Sequence, residues 1–302
     1  MDFELKSVEI PNGETLFYRE RTGGEEKLLL VHGNMISSKH WDVLMEKLDK
    51  RYKVIAVDLR GFGYSSYSTR IEGIKDFSDD LKHFTDLIGW DRFSMVGWST
   101  GGAVAMQYCA DSPGSCERLV LLASASTRGY PYYGMGPSGT MERMSTLQEI
   151  EKDPTKTIPV QAAYDSCDGG YLKTLWNTAI YTQKQPSEEK YEEYLEDMMT
   201  QRNLADVYQA LNIFNISSVH NGLTEGSGQA KEIDIPVLVL RGNLDLVITK
   251  EMADEIMEDL GSNARFVMLQ ECGHSPLIDD ISLLTEKVES FLGEGRLNEV
   301  RK

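Results

Sequence analysis

Strand and helix patterns alternate from Lys27 to Leu122 and again from Pro236 to Leu292. This alternation predicts an α/β fold, a mostly parallel central sheet with helices on both faces. Between Ser126 and Lys231 the alternation stops, which predicts an insertion between two strands of one sheet. A chain of 302 residues, 41% of them hydrophobic, is long enough for a large core and a smaller inserted unit. The expected division is a core domain of residues 1–125 and 232–302, with 126–231 folded as a helical cap, or lid.

Phe3 to Arg21 reads as two short strands around the turn Pro11-Asn12-Gly13. Lys27-Leu28-Leu29-Leu30-Val31, ended by His32-Gly33, is the apolar run of a strand buried on both faces. Lys39 to Leu48 reads as helix and Tyr52 to Asp58 as a second buried strand. Lys75 to Ile88 sets Phe77, Leu81, Phe84, Leu87 and Ile88 at helical spacing. Phe93 to Gly97 is a short strand, Gly101 to Ala110 a helix of small residues, and Leu119 to Leu122 a strand. The insertion then brings helical stretches, methionines, and many tyrosines, among them Tyr130, Tyr132, Tyr164 and Tyr171. It also holds two Gly-rich loops, Gly134 to Gly139 and Gly222 to Gly228. Pro236 to Leu240 resumes the strands, Thr249 to Leu260 is helical, Arg265 to Leu269 is a strand, and Leu277 to Leu292 is a final helix.

The formal net charge of −17 argues against nucleic acid and against anionic lipid as partners. It says little about a small substrate, because the field inside a cleft differs from the global charge. No run approaches eighteen apolar residues, so no membrane span is expected. Met1 to Glu20 carries several charges and lacks the apolar segment of a secretion signal, so the expected location is cytoplasmic. Cys109, Cys116, Cys167 and Cys272 fit neither a C-x-x-C pair nor a zinc pattern, and read as reduced thiols with no metal.

Gly97-Trp98-Ser99-Thr100-Gly101 matches G-x-S-x-G between an expected strand and an expected helix. That setting throws a serine out at the carboxyl end of a sheet, beside a helix N-terminus that favours developing negative charge. A serine that merely caps the helix is the simpler alternative. A serine hydroxyl needs a base. Of the five histidines, His32 closes a strand, His40 and His83 fall in helical patterns, and His220 lies in the insertion. His274 follows the last strand in Cys272-Gly273-His274-Ser275-Pro276, on the edge where open α/β sheets form their sites. Asp245 directly follows a buried strand and supplies the carboxylate that orients an imidazole. Ser99 as nucleophile, Asp245 as acid and His274 as base stand in the chain order of that arrangement.

With these residues, His32-Gly33-Asn34 and Asp58-Leu59-Arg60-Gly61-Phe62-Gly63-Tyr64-Ser65 make the chain resemble the α/β-hydrolase superfamily, in its capped serine esterases and lipases. The resemblance covers nearly the whole length outside the insertion. It implies an oxyanion hole from the backbone N–H groups of Asn34 and Thr100, each donor contributing roughly 3–4 kcal/mol. Asp58 and Ser65 read as structural. Trp98, Met35 and His220 are candidates for the substrate pocket. Related dehalogenases share the His-Gly-Asn turn but use an aspartate nucleophile. Here Ser99 stands at that position, and an alkoxide attacking an alkyl halide would leave a stable ether.

The expected chemistry is two-step acyl transfer on a small-molecule ester, with no cofactor. Lactones, thioesters, polyester oligomers such as poly(3-hydroxybutyrate) and carbon–carbon cleavage of a diketone are alternatives on the same three residues. Two non-enzyme alternatives are a ligand receptor on the hydrolase fold and an insertion that binds a protein partner. The sequence leaves the oligomeric state open.

Overall fold

The computed structural model describes residues 3–136 and 139–294. Strands β1 (Glu4–Glu9) and β2 (Thr15–Arg21) form an antiparallel hairpin closed by Gly13 at φ 86°. Strand β3 (Glu26–Val31) leads through a 3-10 turn, Ser38–Trp41, into helix α1 (Asp42–Lys47) and strand β4 (Tyr52–Val57). The one helix expected from Lys39 to Leu48 is therefore in two parts. Helix α2 (Ile74–Leu87), strand β5 (Phe93–Trp98), helix α3 (Thr100–Asp111) and strand β6 (Cys116–Leu122) follow.

The long excursion after β6 holds a short hairpin, β7 (Tyr133–Met135) and β8 (Met141–Arg143), and five helices. These are α4 (Leu147–Glu151), α5 (Thr157–Asp165), α6 (Gly169–Ala179), α7 (Glu188–Met198) and α8 (Leu204–Ile213). The sheet resumes with β9 (Val237–Gly242), helix α9 (Lys250–Leu260) and β10 (Ala264–Leu269), before α10 (Pro276–Asp279) and α11 (Ile281–Leu292). Eight strands line up as β1-β2-β4-β3-β5-β6-β9-β10, and every pairing from β4 to β10 is parallel.

Two differences from the sequence expectation have local causes. The hairpin β7–β8 has strands of three residues and is largely exposed, so no buried-strand pattern announced it. Its loop overlaps the Gly-rich stretch Gly134 to Gly139, of which residues 137 and 138 lie outside the described residues. The final helix breaks at Asp280, which leaves helical geometry (φ −153°, ψ 81°). Its Oδ1 accepts the Leu283 N–H at 2.9 Å and starts a new helix, as a side-chain cap does.

One face of the sheet packs Phe77 and Phe84 of α2, Val104 and Tyr108 of α3 and Ile256 of α9. The other packs Leu44 of α1 and Val288 and Phe291 of α11 against Leu28, Leu30 and Val96. This second cluster runs on into the inserted helices through Tyr164, Trp176, Tyr181, Tyr191 and Tyr194. Trp176 meets Tyr181 edge-on at 5.1 Å, and Tyr181 meets Tyr191 edge-on at 5.3 Å, the geometry that aromatic quadrupoles favour. These tyrosines hold the inserted helices to one another and to the sheet. No helix among the described residues is long and apolar enough to cross a membrane.

The topology also says where a site can form. Strand β3 lies between β4 and β5, so the chain leaves β3 in one direction and returns on its other side. The loops after β3 and β5 therefore part at the carboxyl edge and leave a crevice, the place where open α/β sheets bind ligands.

Polar contacts fasten α7 to the loop after β3. Asp197 accepts the Ser37 N–H at 3.0 Å and the Ser37 hydroxyl at 2.5 Å. His40 Nδ1 lies 3.3 Å from the same carboxylate, without the alignment of a hydrogen bond. Lys190 and the Tyr194 hydroxyl both reach Asp42, each at 2.6 Å. Burial alone would raise the Asp197 pKa, but His40, Ser37 and Arg19 outweigh it and hold the carboxyl below its ordinary value.

A carboxyl depressed in the folded state contributes stability above its unfolded pKa, and the contribution is lost as pH falls through the folded one. Asp197→Ala should lower unfolding free energy by about 2–4 kcal/mol at pH 7. The gap to the native chain should begin to narrow below about pH 4 and go on narrowing as pH falls through the depressed folded value. Denaturant titrations of both proteins at steps from pH 7 down to the lowest pH at which both still fold test this; a gap that does not narrow would assign the loss to packing.

Candidate active site

Ser99 begins at its backbone. It sits between β5 and α3 at φ 56°, ψ −117°, a conformation that costs a non-glycine residue of the order of 1–3 kcal/mol. Three backbone hydrogen bonds impose it. The Ser99 N–H donates to Leu122 O at 3.0 Å, and Ser99 O accepts from Gly102 at 3.0 Å and Ala125 at 3.2 Å. The flanking glycines are needed for space. A Cβ at Gly97 would strike the Gly101 carbonyl, and a Cβ at Gly101 would strike the carbonyls of Val31 and His32. The turn thus brings α3 against β3 and β5 more closely than any side chain allows, and leaves Ser99 half-buried with its side chain at the crevice.

His274 is carried by the loop between β10 and α10 and is 3% exposed. Its Nδ1 lies 3.0 Å from Asp245 Oδ2 and 3.2 Å from Oδ1. Asp245 is fixed in turn. Its Oδ1 accepts the N–H groups of Val247 at 2.8 Å and Ile248 at 3.0 Å, and Arg241 donates to its backbone carbonyl at 3.0 Å. Burial would raise the Asp245 pKa, but the charge and hydrogen bond of His274, with the Ile248 and Val247 N–H groups, hold it below the ordinary value. The carboxylate is therefore charged at neutral pH and faces His274 Nδ1 as an acceptor.

The loops that carry these residues are braced from behind. The Leu244 N–H donates to Cys272 O at 2.9 Å, joining the aspartate loop to the histidine loop. Asp279 accepts the N–H of Gly273 at 2.7 Å and of Lys184, from the insertion, at 3.0 Å. Burial, with the nearby Asp279, pushes the Cys272 thiol up to about 11, so it is no nucleophile at neutral pH. His32 is a core residue: its Nε2 accepts the Leu59 N–H at 3.0 Å, its Nδ1 meets Gly33 O at 2.7 Å, and burial lowers its pKa to about 4.

A cavity of about 330 Å³ gathers most of the residues singled out from sequence. Ser99, Thr100, His274, Asn34, Met35 and Trp98 all line it. Asp245 stands behind His274. Thr100 is the first residue of α3, so its N–H is one of the free donors of a helix start. Trp98 is 1% exposed, and its Nε1 donates to His274 O at 3.0 Å, so it braces the histidine as well as walling the cavity. Met35 is half-buried at φ 63°. His220 is a correction. It lies on the surface, outside this cavity, where its Nδ1 accepts the Gly222 N–H at 3.0 Å within its own loop.

The remaining wall comes from the insertion, and much of it was not singled out from sequence. Leu175, Trp176 and Ala179 of α6 line the cavity, and with Leu172 behind them they keep the i, i+3, i+4, i+7 spacing that could have marked the stripe. Lys156 and Tyr208 carry no such signal. Gln201 links insertion and core: its Nε2 donates to Asn34 Oδ1 at 2.8 Å and to Asn203 Oδ1 at 2.9 Å, and Tyr164 donates to its Oε1 at 3.0 Å.

Comparison with known proteins agrees with this architecture. A pimeloyl-[acyl-carrier protein] methyl ester esterase from Nitrosomonas europaea is 26% identical over 269 residues, 86% of this chain and 92% of that protein. A 2-hydroxy-6-oxononadienedioate/2-hydroxy-6-oxononatrienedioate hydrolase from Paraburkholderia phymatum is 24% identical over 297 residues, 96% of each chain. Among solved structures, an esterase from Exiguobacterium antarcticum superposes with a TM-score of 0.74 at 17% identity, covering 96% of this chain and 99% of that one. Residues 27–281, most of the chain, match the family described as the alpha/beta hydrolase fold, and the protein belongs to that family.

Proposed function

We propose that the protein is a serine hydrolase that cleaves a small carboxylic ester through an acyl-enzyme. The observation that carries this reading is the strained Ser99 turn opening into the same cavity as His274, whose Nδ1 is held 3.0 Å from Asp245. In this reading His274 Nε2 takes the Ser99 proton as the hydroxyl oxygen attacks the ester carbonyl. The N–H groups of Asn34 and Thr100 receive the oxyanion. The imidazolium gives its proton to the departing alcohol, and His274 then activates water to cleave the acyl-enzyme. Asp245 keeps its charge throughout and stabilises the imidazolium. Segment 126–231 serves as a cap over the cavity and supplies its aromatic wall.

A second reading has one specific support, the relative named as a hydrolase of 2-hydroxy-6-oxo dioates, matched over 96% of both chains. The same three residues would then promote hydrolysis of a carbon–carbon bond beside a ketone, with the carbanion taking the proton in place of an alkoxide.

Purified protein assayed with p-nitrophenyl esters of graded acyl length should turn them over, and Ser99→Ala should reduce kcat by at least about 10⁴-fold with an unchanged melting transition. Equal rates in the two proteins would remove Ser99 as nucleophile. A vinylogous diketone run in parallel decides the second reading: turnover of it, with none of the esters, would replace ester by carbon–carbon hydrolysis.

Asp245→Asn should lower kcat by about 10⁴-fold while leaving KM within a few-fold, because the amide keeps its place but holds the wrong imidazole tautomer. Asp245→Ala should in addition lower the melting temperature, since the Val247 and Ile248 N–H groups lose their acceptor. A kcat insensitive to both changes would remove Asp245 from the mechanism.

A further inference from the structure

The cavity differs in charge from the chain that forms it. The protein carries 48 acidic against 31 basic residues. Yet no aspartate or glutamate lines the cavity among the described residues, and Lys156 is the one lysine or arginine that does. The other walls are mainly apolar or aromatic.

Lys156 stands on the insertion's wall, directly before α5. Its ammonium donates to Tyr133 O at 2.7 Å and lies 4.9 Å from the centre of the Tyr132 ring. One N–H of three is thereby engaged, and the head is held in place by a carbonyl and a ring face. The neighbouring acid is Asp153, which is buried and does not line the cavity. Asp153 is committed to Tyr132, whose hydroxyl donates to it at 2.6 Å, and to Thr155, whose N–H donates at 3.0 Å. Desolvation lowers the Lys156 pKa and the Asp153 charge only partly opposes it. Lys156 is exposed overall, but its ammonium has no carboxylate within salt-bridge distance among the described residues and gains from an anion brought to it.

We propose that Lys156 is the anion anchor of this cavity, and that the preferred substrates are esters carrying a carboxylate or similar monoanion remote from the scissile bond. The proposal rests on the ester-hydrolase reading above for its chemistry, but not for its binding. The Ser99 end of the cavity would hold the ester carbonyl. The apolar and aromatic wall of Tyr132, Leu175 and Trp176 would cover the chain between, and Lys156 would fix its length by pairing with the charged end. An ammonium held by a carbonyl and a ring face, on the one lysine or arginine of the wall, favours an anion over a neutral chain of equal length by direct charge attraction.

The test compares monomethyl suberate and 6-butanoyloxyhexanoate, with the anion on the acyl and the alcohol side respectively, against the neutral esters methyl octanoate and hexyl butyrate. The quantity read is the ratio of anionic to neutral kcat/KM in the native chain, Lys156→Arg, Lys156→Met and Lys156→Glu. The ratio for at least one pair should exceed unity in the native chain and stay within a few-fold in Lys156→Arg. It should fall about tenfold in Lys156→Met, through KM, and further in Lys156→Glu. A lysine that only ties down the hairpin would lower stability in Lys156→Met and leave the ratio unchanged, and that result overturns the proposal.

Binding is measured separately from turnover. The two anionic esters are titrated into Ser99→Ala and Ser99→Ala/Lys156→Met, following the fluorescence of Trp98 and Trp176. Weaker binding in the double variant supports the anchor even if no ester is cleaved, in which case only the hydrolase reading fails. Equal affinities, or no saturable binding of either anionic ester to Ser99→Ala, overturn the anchor while leaving the hydrolase reading intact.

Discussion

The close approach of α3 to β3 and β5 is the constraint on which the rest of the site depends. Gly97 and Gly101 have no room for a Cβ, because the carbonyls of Gly101, Val31 and His32 occupy those positions. With the backbones this near, the chain between β5 and α3 can turn only through one residue at positive φ, and that residue is Ser99. The turn places the serine at the point where the loops after β3 and β5 part. Asn34 and Thr100 then arrive beside it without further adjustment: one follows β3, the other starts α3. A packing requirement within the sheet thus becomes the placement of a hydroxyl beside a helix N-terminus.

The second half of the site is held by pairs of loops rather than by one element. His274 and Asp245 follow neighbouring parallel strands, and the Leu244-to-Cys272 bond keeps their loops in step. The insertion is bound at both ends of the crevice: Lys184 reaches Asp279 behind His274, and Asp197 grips Ser37 beyond Asn34. Gln201 adds a direct link to the Asn34 side chain. Movement of the inserted helices would therefore be felt on both the base side and the oxyanion side of Ser99. Groups that are tied together in this way respond together to substitution, so single changes there should not add.

The buried strands were legible because they are short, continuous apolar runs with little alternative, and the elbow was legible because its glycines have a steric cause. Ser99, Asp245 and His274 stood out because each lies in the loop that follows a strand, at the same edge of the sheet. What stayed hidden depends on contacts distant in sequence. Gln201 and Asn34 are 167 positions apart, and neither has a local pattern that announces the bond. His220 was misplaced because a histidine in an insertion carries no sign of which way its loop faces. Hairpin β7–β8 escaped because three-residue strands on a surface need not be apolar. The break at Asp280 lies in the capping ability of one aspartate within an otherwise continuous helical pattern. The insertion's tyrosines were visible as a composition, but which wall the cavity and which pack together is decided by tertiary geometry.

The residue at the elbow, rather than the fold, limits the reaction class. An attack by oxygen on an acyl carbon passes through a tetrahedral oxyanion and yields an ester that water can cleave again, so the serine returns to its starting state. An attack by the same alkoxide on an alkyl carbon yields an ether, with no carbonyl for water to attack, and the chain would be consumed in one turn. A carboxylate nucleophile escapes this by forming an ester in either case. In the proposed reading a serine nucleophile at position 99 therefore demands a carbonyl in the substrate, and backbone donors at Asn34 and Thr100 would act only on an oxyanion formed beside them. What remains to be chosen is the group attached to that carbonyl, and in the proposed reading the insertion's wall and Lys156, the one lysine or arginine lining the cavity, choose it. On that reading specificity and reactivity fall to different segments of the chain, which can vary separately while the elbow stays fixed.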